Sequence, residues 1–532
     1  MAAFESTSTT PASVEDPARL VARVGELTTL LDDANLTIAR LKNELLLLKH
    51  WRFGRSTEKT AANATGSLFA ELAMATLEET AASDSAAPQE QAPSAKKKGH
   101  GRRTLPADLP VERVVIEPEA EEKICPPCGS EKIAINEEIR RELDYVPGSI
   151  FVREYVRPIY ACPQACEGQV VVAPPPPAPI EKGMPGPGLL AYVAINKFVD
   201  HLPLARQESR LEREGLFISR QTQCDWMMQA AHTLASFMDL LRREVLLSKV
   251  IHVDETPVTY LESKKNIPKT GYLWAYCGDR NHPYTFYQFT PTRQRRWPAE
   301  TLAGWKGHLQ ADAYTGYDSL YVANDIVEVA CWAHARRKFK NAELSDGKRA
   351  APVLRRIGEL YAMERSIREE AEKNKWSFTM PGEKGDEAEE LRQRRRKMEA
   401  QPLLLTLKRE LDALALVALP KSPMGEAVGY ALKNWTALTA YAANGALSID
   451  NNAAERAIRP ATVGRKNYLF FGVLRGGYTG ATMYSVLESA KRHAVKPWEY
   501  LRDLFRRLPA MKASELPGLL PDRWAKEQRP AE

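Results

Sequence analysis

Two aspartates in strand-like surroundings are the residues best placed to do chemistry. Asp254 lies in the middle of the apolar and β-branched run 250–260, and Asp312 follows a shorter apolar run that begins at His308. Two carboxylates a few ångströms apart repel each other unless cations lie between them. Hard oxygen donors favour Mg²⁺ or Mn²⁺. If the two runs are neighbouring strands, the aspartates predict a divalent-metal site.

A third acid is expected to complete a two-metal site, and Glu455 is the best candidate. Asp450 or Asn451 is expected to cap a helix, which puts Glu455 in its first or second turn. Arg456 and Arg459 then lie alongside it. An acid in a capped helix is by itself usually a solvated charge, but the aspartate pair strengthens the functional interpretation. Asp450 is the next candidate for the third ligand.

The elements that must position these acids follow a recognisable order. Three strands at meander spacing are expected over 250–260, 271–277 and 284–289, followed by a short helix over 299–305. Two further strands over 308–317 and 326–334 and a basic helix from 335–339 complete the order. This is the order of an α/β, ribonuclease H-like domain. That fold brings the centre of its first strand beside the end of its fourth, so Asp254 and Asp312 are expected to face each other. Glu255, the next residue on the strand, is expected on the opposite face.

Four of the seven cysteines form two knuckles, Cys125 with Cys128 and Cys162 with Cys166. Strand-like segments such as 150–160 lie between the knuckles, which is the pattern of a zinc ribbon. Two thiolates from each turn close a tetrahedral site, so we expect one structural Zn²⁺ with no open position for catalysis. The alternative is four buried cysteines without a metal.

Cys331 and His334 are a further pair that could be read as metal ligands. No second pair of ligand residues lies nearby in the sequence. We therefore interpret them as a buried strand cysteine and a polar histidine near the active site.

The N-terminal region carries a heptad repeat. Apolar residues recur at alternating steps of four and three from Leu20 to Leu48. The stripe is two positions wide per heptad, which is typical of a coiled coil and predicts a homodimer. The alternative is an amphipathic helix packed on its own chain. A linker poor in core residues follows, and its basic run 96–103 is either a solvated tail or a phosphate contact.

Two helical regions flank the expected catalytic strands. After the proline-rich spacer 173–179, two helices separated by Gly215 resemble a helix-turn-helix, although an ordinary packing hairpin is the preferred interpretation. Residues 350–417 are rich in charges and helix formers and predict an α-helical insertion. Its basic cluster is most simply a solvated helical face, with DNA or dimer contact as the alternatives: Arg392, Arg394, Arg395, Arg396 and Lys397.

Basic residues outnumber acidic ones over 453–510 and alternate with aromatics. Lysine and arginine neutralise phosphates, and aromatic rings can stack on unpaired bases. The preferred interpretation is that the aromatics belong to the core and only the basic residues contact DNA. The expected DNA-binding residues are Arg337, Arg456, Arg459, Arg465 and Lys466.

Composition narrows the class of protein. The chain has 532 residues, 44% of them hydrophobic and 27% charged, which is enough for several folded domains. No apolar run approaches a membrane span, and a cytoplasmic, nucleoid-associated protein is expected. The net charge is only +6, so DNA binding must come from local patches.

The sequence resembles the transposases of the insertion sequence 66 family, which are bacterial DDE-type enzymes, over nearly the whole chain. The resemblance rests on ordered motifs: the zipper-like helix ending in residues 53–59, the four clustered cysteines, His252-Val-Asp254-Glu-Thr, residues 312–317, Cys331-Trp-Ala-His334, residues 450–472 and residues 497–501. One departure is Ser56-Thr57-Glu58, where adjacent Ser and Glu are expected. It touches only the N-terminal module.

The resemblance implies that Asp254, Asp312 and Glu455 are the catalytic triad of a DNA transposase, with two Mg²⁺ or Mn²⁺ per active site. The implied partners are double-stranded DNA of the terminal repeats and target, a second copy of the chain and possible small accessory proteins. The rivals are a stand-alone metal nuclease and a zinc-ribbon, coiled-coil DNA-binding regulator without catalysis. The first three expected domains are a coiled coil over 1–59, a linker over 60–104 and a zinc ribbon over 105–172. They are followed by a spacer with a helix-turn-helix-like segment over 173–245, a catalytic domain over 246–475 with an insertion at about 345–440, and a helical C-terminal region over 476–532.

Overall fold

The computed structural model describes residues 174–528 except 182, 263–266 and 324, and shorter stretches before them: 23, 25–31, 34–35, 37–38, 148, 150–157, 159–160 and 171–172. Cys125, Cys128, Cys162 and Cys166 lie outside the described residues, as do the basic run 96–103 and most of the heptad repeat. The described residues between 23 and 38 are helical. The chain divides into two units, one of them Ala75–Val156 and the other Met1–Met74 with Arg157–Glu532.

The strand predicted over 150–160 is observed only at its end. Residues 150–157 have no regular secondary structure, so the prediction is wrong for them. Strand β1 (Ile159–Tyr160) pairs antiparallel with β2 (Val171–Val172), and Ile159 faces Val172 across the pair.

A mixed five-stranded sheet forms the centre of the larger unit. Its strands are β3 (Val250–Glu262), β4 (Ile267–Cys277), β5 (Thr285–Thr290), β6 (Gly307–Gln310) and β7 (Ile326–Val329). The strand order is β5-β4-β3-β6-β7. The pairs β3/β4 and β4/β5 are antiparallel, whereas β6 runs parallel to both β3 and β7. The predicted meander and the predicted placing of the first strand beside the fourth are confirmed.

The central strand is buried on both faces where it enters the sheet. Its first four residues, from Val250 to Val253, are all buried, as expected for a strand covered by helices on either side. The fourth strand is shorter than predicted, because β6 ends at Gln310. Asp312 therefore lies in the loop that follows the strand and precedes the 3₁₀ turn Thr315–Tyr317.

Within residues 174–249, four helices precede the sheet: α1 (Pro187–Phe198), α2 (Leu204–Arg213), α3 (Arg220–Thr233) and α4 (Ala235–Leu246). Gly215 ends the turn after α2 with a φ of +84°, a conformation that favours glycine. The Ser219 side chain caps α3 by accepting from Thr222 N at 3.1 Å. The predicted hairpin is thus present, and α3 buries Trp226 and Met227.

Helices of the predicted insertion follow β7 and the short helices α5 (Arg296–Thr301) and α6 (Asp318–Ala323). They are α7 (Trp332–Lys373), α8 (Glu383–Arg395), the π-helical turn Arg396–Ala400, α9 (Gln401–Val417), α10 (Pro423–Lys433) and α11 (Trp435–Thr439). They share a hydrophobic core that includes Phe339, Ile357 and Leu407.

The solvated-face interpretation of the basic cluster in this region is wrong for two of its members. The Arg396 side chain is fully buried, and its Nε lies 2.6 Å from Glu364 Oε1. The Arg392 side chain is 14% exposed and its guanidinium stacks on Phe378 at 3.6 Å. Arg394 and Lys397 are exposed, as predicted. Periodicity could not separate the groups because the partners of Arg396 lie on other helices.

The C-terminal helices are α12 (Asn452–Tyr468), α13 (Leu474–Arg492), α14 (Pro497–Arg507) and α15 (Pro521–Glu527). Helix α12 packs on β3 and β4, and α13 packs on β5. Together with α1, α3 and α4 they form a second core with residues of the sheet. None of the described helices is both long and apolar enough to cross a membrane.

Candidate active site

The pairing of β3 with β6 brings Asp254 and Asp312 together. The last paired residues are His252 and Gln310, and each aspartate lies two positions further along its chain segment. Adjacent strands are about 4.8 Å apart. The pairing therefore places the two aspartates near each other, Asp254 within β3 and Asp312 in the loop just after β6.

Each aspartate is held by a local backbone hydrogen bond. Asp254 Oδ1 accepts from Glu255 N at 2.9 Å, and Asp312 Oδ1 accepts from Tyr314 N at 3.1 Å. The Tyr430 hydroxyl donates to the carbonyl oxygen of Asp312 at 3.2 Å and ties this loop to α10. The carboxylates are thus oriented before any ligand arrives.

Asn451 brings the third acid to the pair. Its Nδ2 donates to Val253 O at 2.8 Å, and its carbonyl accepts from Glu455 N at 3.2 Å in the first turn of α12. Its Oδ1 lies 3.1 Å from His252 Nδ1. Because Asn451 is fully buried, these bonds fix the start of α12 against the strand that carries Asp254.

The three acids interact electrostatically. Burial raises the pKa of Asp254 well above its usual value, and the charges of Glu255, Asp312 and Glu455 add to the increase. Burial also raises the pKa of Glu455 to about 7, with Asp450 and Asp312 contributing. Arg337 and Arg456 act in the opposite direction on Glu455. Mutual repulsion of this kind marks a cluster that a cation would stabilise.

Glu455 itself fits a metal ligand. The residue is fully buried, and neither carboxylate oxygen has a hydrogen-bond partner. A buried carboxylate without partners is costly unless a cation compensates it. Asp450, the sequence's second candidate, instead accepts from Asn452 N and Nδ2 at 3.2 and 2.8 Å. These partners make Asp450 the less suitable ligand.

Glu255 was expected only to lie on the strand face opposite Asp254, but its side chain is buried and has partners. Its side chain is 3% exposed and forms an ion pair with Arg293, while Tyr317 Oη lies 3.3 Å from its Oε2. Burial raises its pKa, and the charge of Asp312 adds to the increase. Glu255 therefore belongs to the surroundings of the aspartate pair.

A basic cleft that the sequence interpretation missed lies beside Asp312. It has a volume of about 500 Å³ and is lined by residues 293–296 and 314–316. Arg295 and Arg296 are exposed, and Arg293 lies over the Tyr314 ring at 3.9 Å. The available signal was the run Arg293-Gln-Arg-Arg296, which leads into α5.

The five predicted DNA-binding residues fall into different environments. Arg456, Arg459 and Lys466 are exposed on α12. Arg337 lies partly buried on α7, near Glu455. Arg465 donates to Thr256 Oγ1 at 3.0 Å and to Pro257 O, so it also has an internal role.

The aromatic residues near α12 divide in the same way. The Tyr468 hydroxyl lies 2.6 Å from that of Tyr484, and Phe471 is half-buried against the core. Phe470 and Tyr478 are 42% and 48% exposed. The preferred interpretation of the aromatics as core residues therefore holds for Tyr468 and Phe471, and it is wrong for Phe470 and Tyr478.

Comparison with protein families gives four matches along the chain. The model for the Transposase IS66 family matches residues 182–479, which include all three acids. The zinc-finger binding domain of transposase IS66 matches residues 122–167, which include the four clustered cysteines. The model described as Transposase C of IS166 homeodomain matches 40–114, and the IS66 C-terminal element matches 485–521.

Curated relatives match over most of their length. The uncharacterized protein y4qI of Sinorhizobium fredii is 32% identical over 523 residues, covering 95% of this chain and 92% of that protein. The uncharacterized protein y4jD of the same organism is 31% identical over 439 residues, covering 80% of this chain and 82% of that protein.

Proposed function

This chain belongs to the IS66 family of transposases, and we propose that its ribonuclease H-like domain cuts and joins DNA at Asp254, Asp312 and Glu455. The observation that carries the proposal is the unpartnered, buried Glu455 carboxylate held by Asn451 beside the two aspartates. The strand order β5-β4-β3-β6-β7, with β3 and β6 parallel, supports the ribonuclease H-like assignment.

The acids would hold two Mg²⁺ or Mn²⁺ ions. Bound ions of this kind activate an attacking oxygen and stabilise a departing one in phosphodiester chemistry. The protein's own part is positional, because backbone hydrogen bonds orient both aspartates and Asn451 holds the helix that carries Glu455. The basic cleft at Arg295 and Arg296 would hold the phosphates that lead to the site.

Other parts of the chain would bind and pair the element ends. The four clustered cysteines would hold one structural Zn²⁺ in the matched zinc-finger region. The Leu20–Leu48 repeat would join two chains, so that two ends meet in one complex. The double-stranded terminal repeats and the target DNA are the substrates.

The test is cleavage and strand transfer of a labelled terminal-repeat end by the full chain with Mg²⁺. Asp254→Asn, Asp312→Asn and Glu455→Gln should each reduce both reactions by orders of magnitude while end binding persists, because repulsion of phosphate is relieved. Asp318→Asn, an exposed acid on α6, is the matched control and should remain active.

The same assay distinguishes the proposed transposase from the two alternative functions. Hydrolysis without joining would favour a stand-alone nuclease. Binding without cleavage by the unmutated chain would favour a zinc-ribbon, coiled-coil regulator. Normal cleavage by Asp254→Asn would overturn the active-site assignment altogether.

A further inference from the structure

Three side chains with different ligand atoms, those of Cys331, His334 and Glu455, lie close together at the acid cluster. The Sγ of Cys331, a ring nitrogen of His334 and a carboxylate oxygen of Glu455 all lie within 4.8 Å of one another. His334 Nδ1 is 3.7 Å from Glu455 Oε1. His334 Nδ1 and both oxygens of Glu455 are buried without hydrogen-bond partners. Three such unsatisfied atoms in one place need an explanation beyond packing.

We propose that Cys331, His334 and Glu455 form a site for a borderline divalent cation such as Zn²⁺, distinct from the harder site at the two aspartates. Sulfur and imidazole donors prefer Zn²⁺ to Mg²⁺, whereas carboxylates accept either ion. The sequence interpretation set Cys331 and His334 aside because it found no further ligand. Glu455, more than 120 positions away, is the ligand that the fold supplies.

The local structure fixes this arrangement. Cys331 is the N-cap of α7, and His334 follows three residues later, so both side chains lie on the same side of the first turn. Trp332 N donates to Ile449 O at 3.2 Å, which joins the start of α7 to the segment before α12. The ligand from α12 is therefore held against the other two by backbone contacts.

The surroundings of Cys331 compensate a thiolate only in part, because burial and the charges of Asp450 and Glu455 raise the pKa of the thiol. Asn451 N donates to its Sγ at 3.2 Å. The thiol lies at the N-terminus of α7, where the helix dipole favours a negative charge. A cation would supply the remaining compensation for a buried sulfur anion.

The distances are close to those of a coordinated ion. With bonds of about 2.0–2.3 Å, a tetrahedral Zn²⁺ holds its donors roughly 3.3–3.7 Å apart. The His334–Glu455 separation of 3.7 Å already meets this. The remaining donors, within 4.8 Å, have to approach by about 1 Å, which small side-chain rotations provide. A water molecule or a substrate oxygen would be the fourth ligand.

Glu455 would belong both to this site and to the proposed Mg²⁺ site. Zinc binding would therefore affect cleavage, a consequence that rests on the proposed function. A cation held by Cys331 and His334 competes with the aspartate pair for this carboxylate. Zinc bound there would lower Mg²⁺-dependent cleavage, and removal of the zinc would restore it. The proposed site itself does not depend on cleavage and is tested without DNA.

The experiment measures zinc per chain by plasma mass spectrometry on the full-length protein after dialysis against Zn²⁺ and then metal-free buffer. Cys331→Ser and His334→Gln should each hold one zinc fewer per chain than the unmutated protein. Cys277→Ser is the matched control, because Cys277 is also a buried cysteine of the sheet but lies outside the cluster. It should keep the full content, and equal zinc in all four proteins would overturn the proposal.

A second measurement covers the case in which Cys331→Ser fails to fold. The full chain carrying Cys125→Ser, Cys128→Ser, Cys162→Ser and Cys166→Ser is titrated with Co²⁺. A thiolate-to-cobalt charge-transfer absorption should persist and should disappear when His334→Gln is added. Absence of that absorption before His334→Gln is added would overturn the proposal, whatever the cleavage assay shows.

Discussion

The side-chain amide of Asn451 donates a 2.8 Å hydrogen bond to the carbonyl oxygen of Val253, the residue before Asp254. This bond joins the central strand to the first turn of α12, where Glu455 lies. The same side chain meets His252, and its backbone N–H meets the Cys331 sulfur. One buried asparagine therefore sets the distance between the elements that carry the first and third acids.

Asn451→Ala should weaken metal use more than DNA binding. Loss of the amide leaves Val253 O buried without its donor, which costs about 1–3 kcal/mol of unfolding free energy. It also releases the start of α12, so the Mg²⁺ concentration for half-maximal cleavage should rise severalfold. The measurements are thermal unfolding, end binding and cleavage at a series of Mg²⁺ concentrations.

Asn467→Ala is the control for this prediction. Asn467 is exposed at the other end of α12, and among the described residues its side chain bonds only Val463 O, one turn away. It should leave the Mg²⁺ dependence unchanged. An unchanged Mg²⁺ dependence in Asn451→Ala as well would show that the asparagine does not control how the acids bind metal.

The strand layout and the aspartate pair could be predicted from the sequence because both depend on local pattern. Alternating apolar residues marked β3, β4 and β5, and the meander spacing gave their pairing. The placing of the first strand beside the fourth followed from the order of elements, whereas their parallel direction is seen only in the structure. The position of Asp312 just after β6 could not be predicted, since the strand's end depends on the register His252–Gln310.

Long-range polar contacts were beyond the sequence. Asn451 was read only as a possible cap, yet its decisive partner is Val253, 198 positions away. Arg396 was read as a solvated charge because nothing in a helical period shows that Glu364 lies across from it. The grouping of Cys331 and His334 with Glu455 likewise depends on how α7 and α12 pack.

The basic cleft predicts a set of phosphate contacts. Arg295→Ala and Arg296→Ala should each weaken end binding at all sequences and reduce the slope of log affinity against log salt by about 1. The measurement is fluorescence anisotropy over a salt series. Lys421→Ala, an exposed basic residue after α9, is the control. Unchanged slopes for both cleft variants would place the DNA elsewhere.

Glu255→Gln should affect stability more than chemistry. The neutral side chain weakens the ion pair with Arg293, whose side chain is 40% exposed, and should cost about 1 kcal/mol of unfolding free energy. Cleavage should remain far above that of Asp254→Asn, because Glu255 already has partners and is not needed as a ligand. Equal loss of cleavage in the two variants would make Glu255 a fourth ligand of the site.

The heptad repeat predicts a dimer through its N-terminal region. Leu31→Glu with Leu45→Glu places charges in the proposed seam and should give monomers in light scattering. Joining of two ends should fall while cutting of a single bound end persists. Thr29→Glu with Ala39→Glu, at heptad positions on the outer face of the helix, is the matched control. An unchanged mass in the leucine variant would show that the helix packs within its own chain.

The buried ion pair between Arg396 and Glu364 in the helical insertion predicts that replacing the arginine lowers the free energy of unfolding more than neutralising the glutamate does. Arg396 bonds Glu364 at 2.6 and 2.9 Å and also donates to three carbonyl oxygens, those of Tyr441, Asn444 and Leu447. Arg396→Met removes the nearest cation from a buried carboxylate and one donor from each of the three carbonyls, so it should cost about 3–5 kcal/mol of unfolding free energy. Glu364→Gln should cost less, because the arginine keeps its carbonyl partners.

Urea unfolding followed by tryptophan fluorescence measures both changes. Arg394→Met, an exposed arginine of α8, should shift the free energy by no more than about 0.5 kcal/mol. Because Arg396 lies in the insertion core and not among the acids, the folded fraction of Arg396→Met should retain end binding. A loss equal to that of Arg394→Met would mean that Glu364 finds another partner when the arginine is removed.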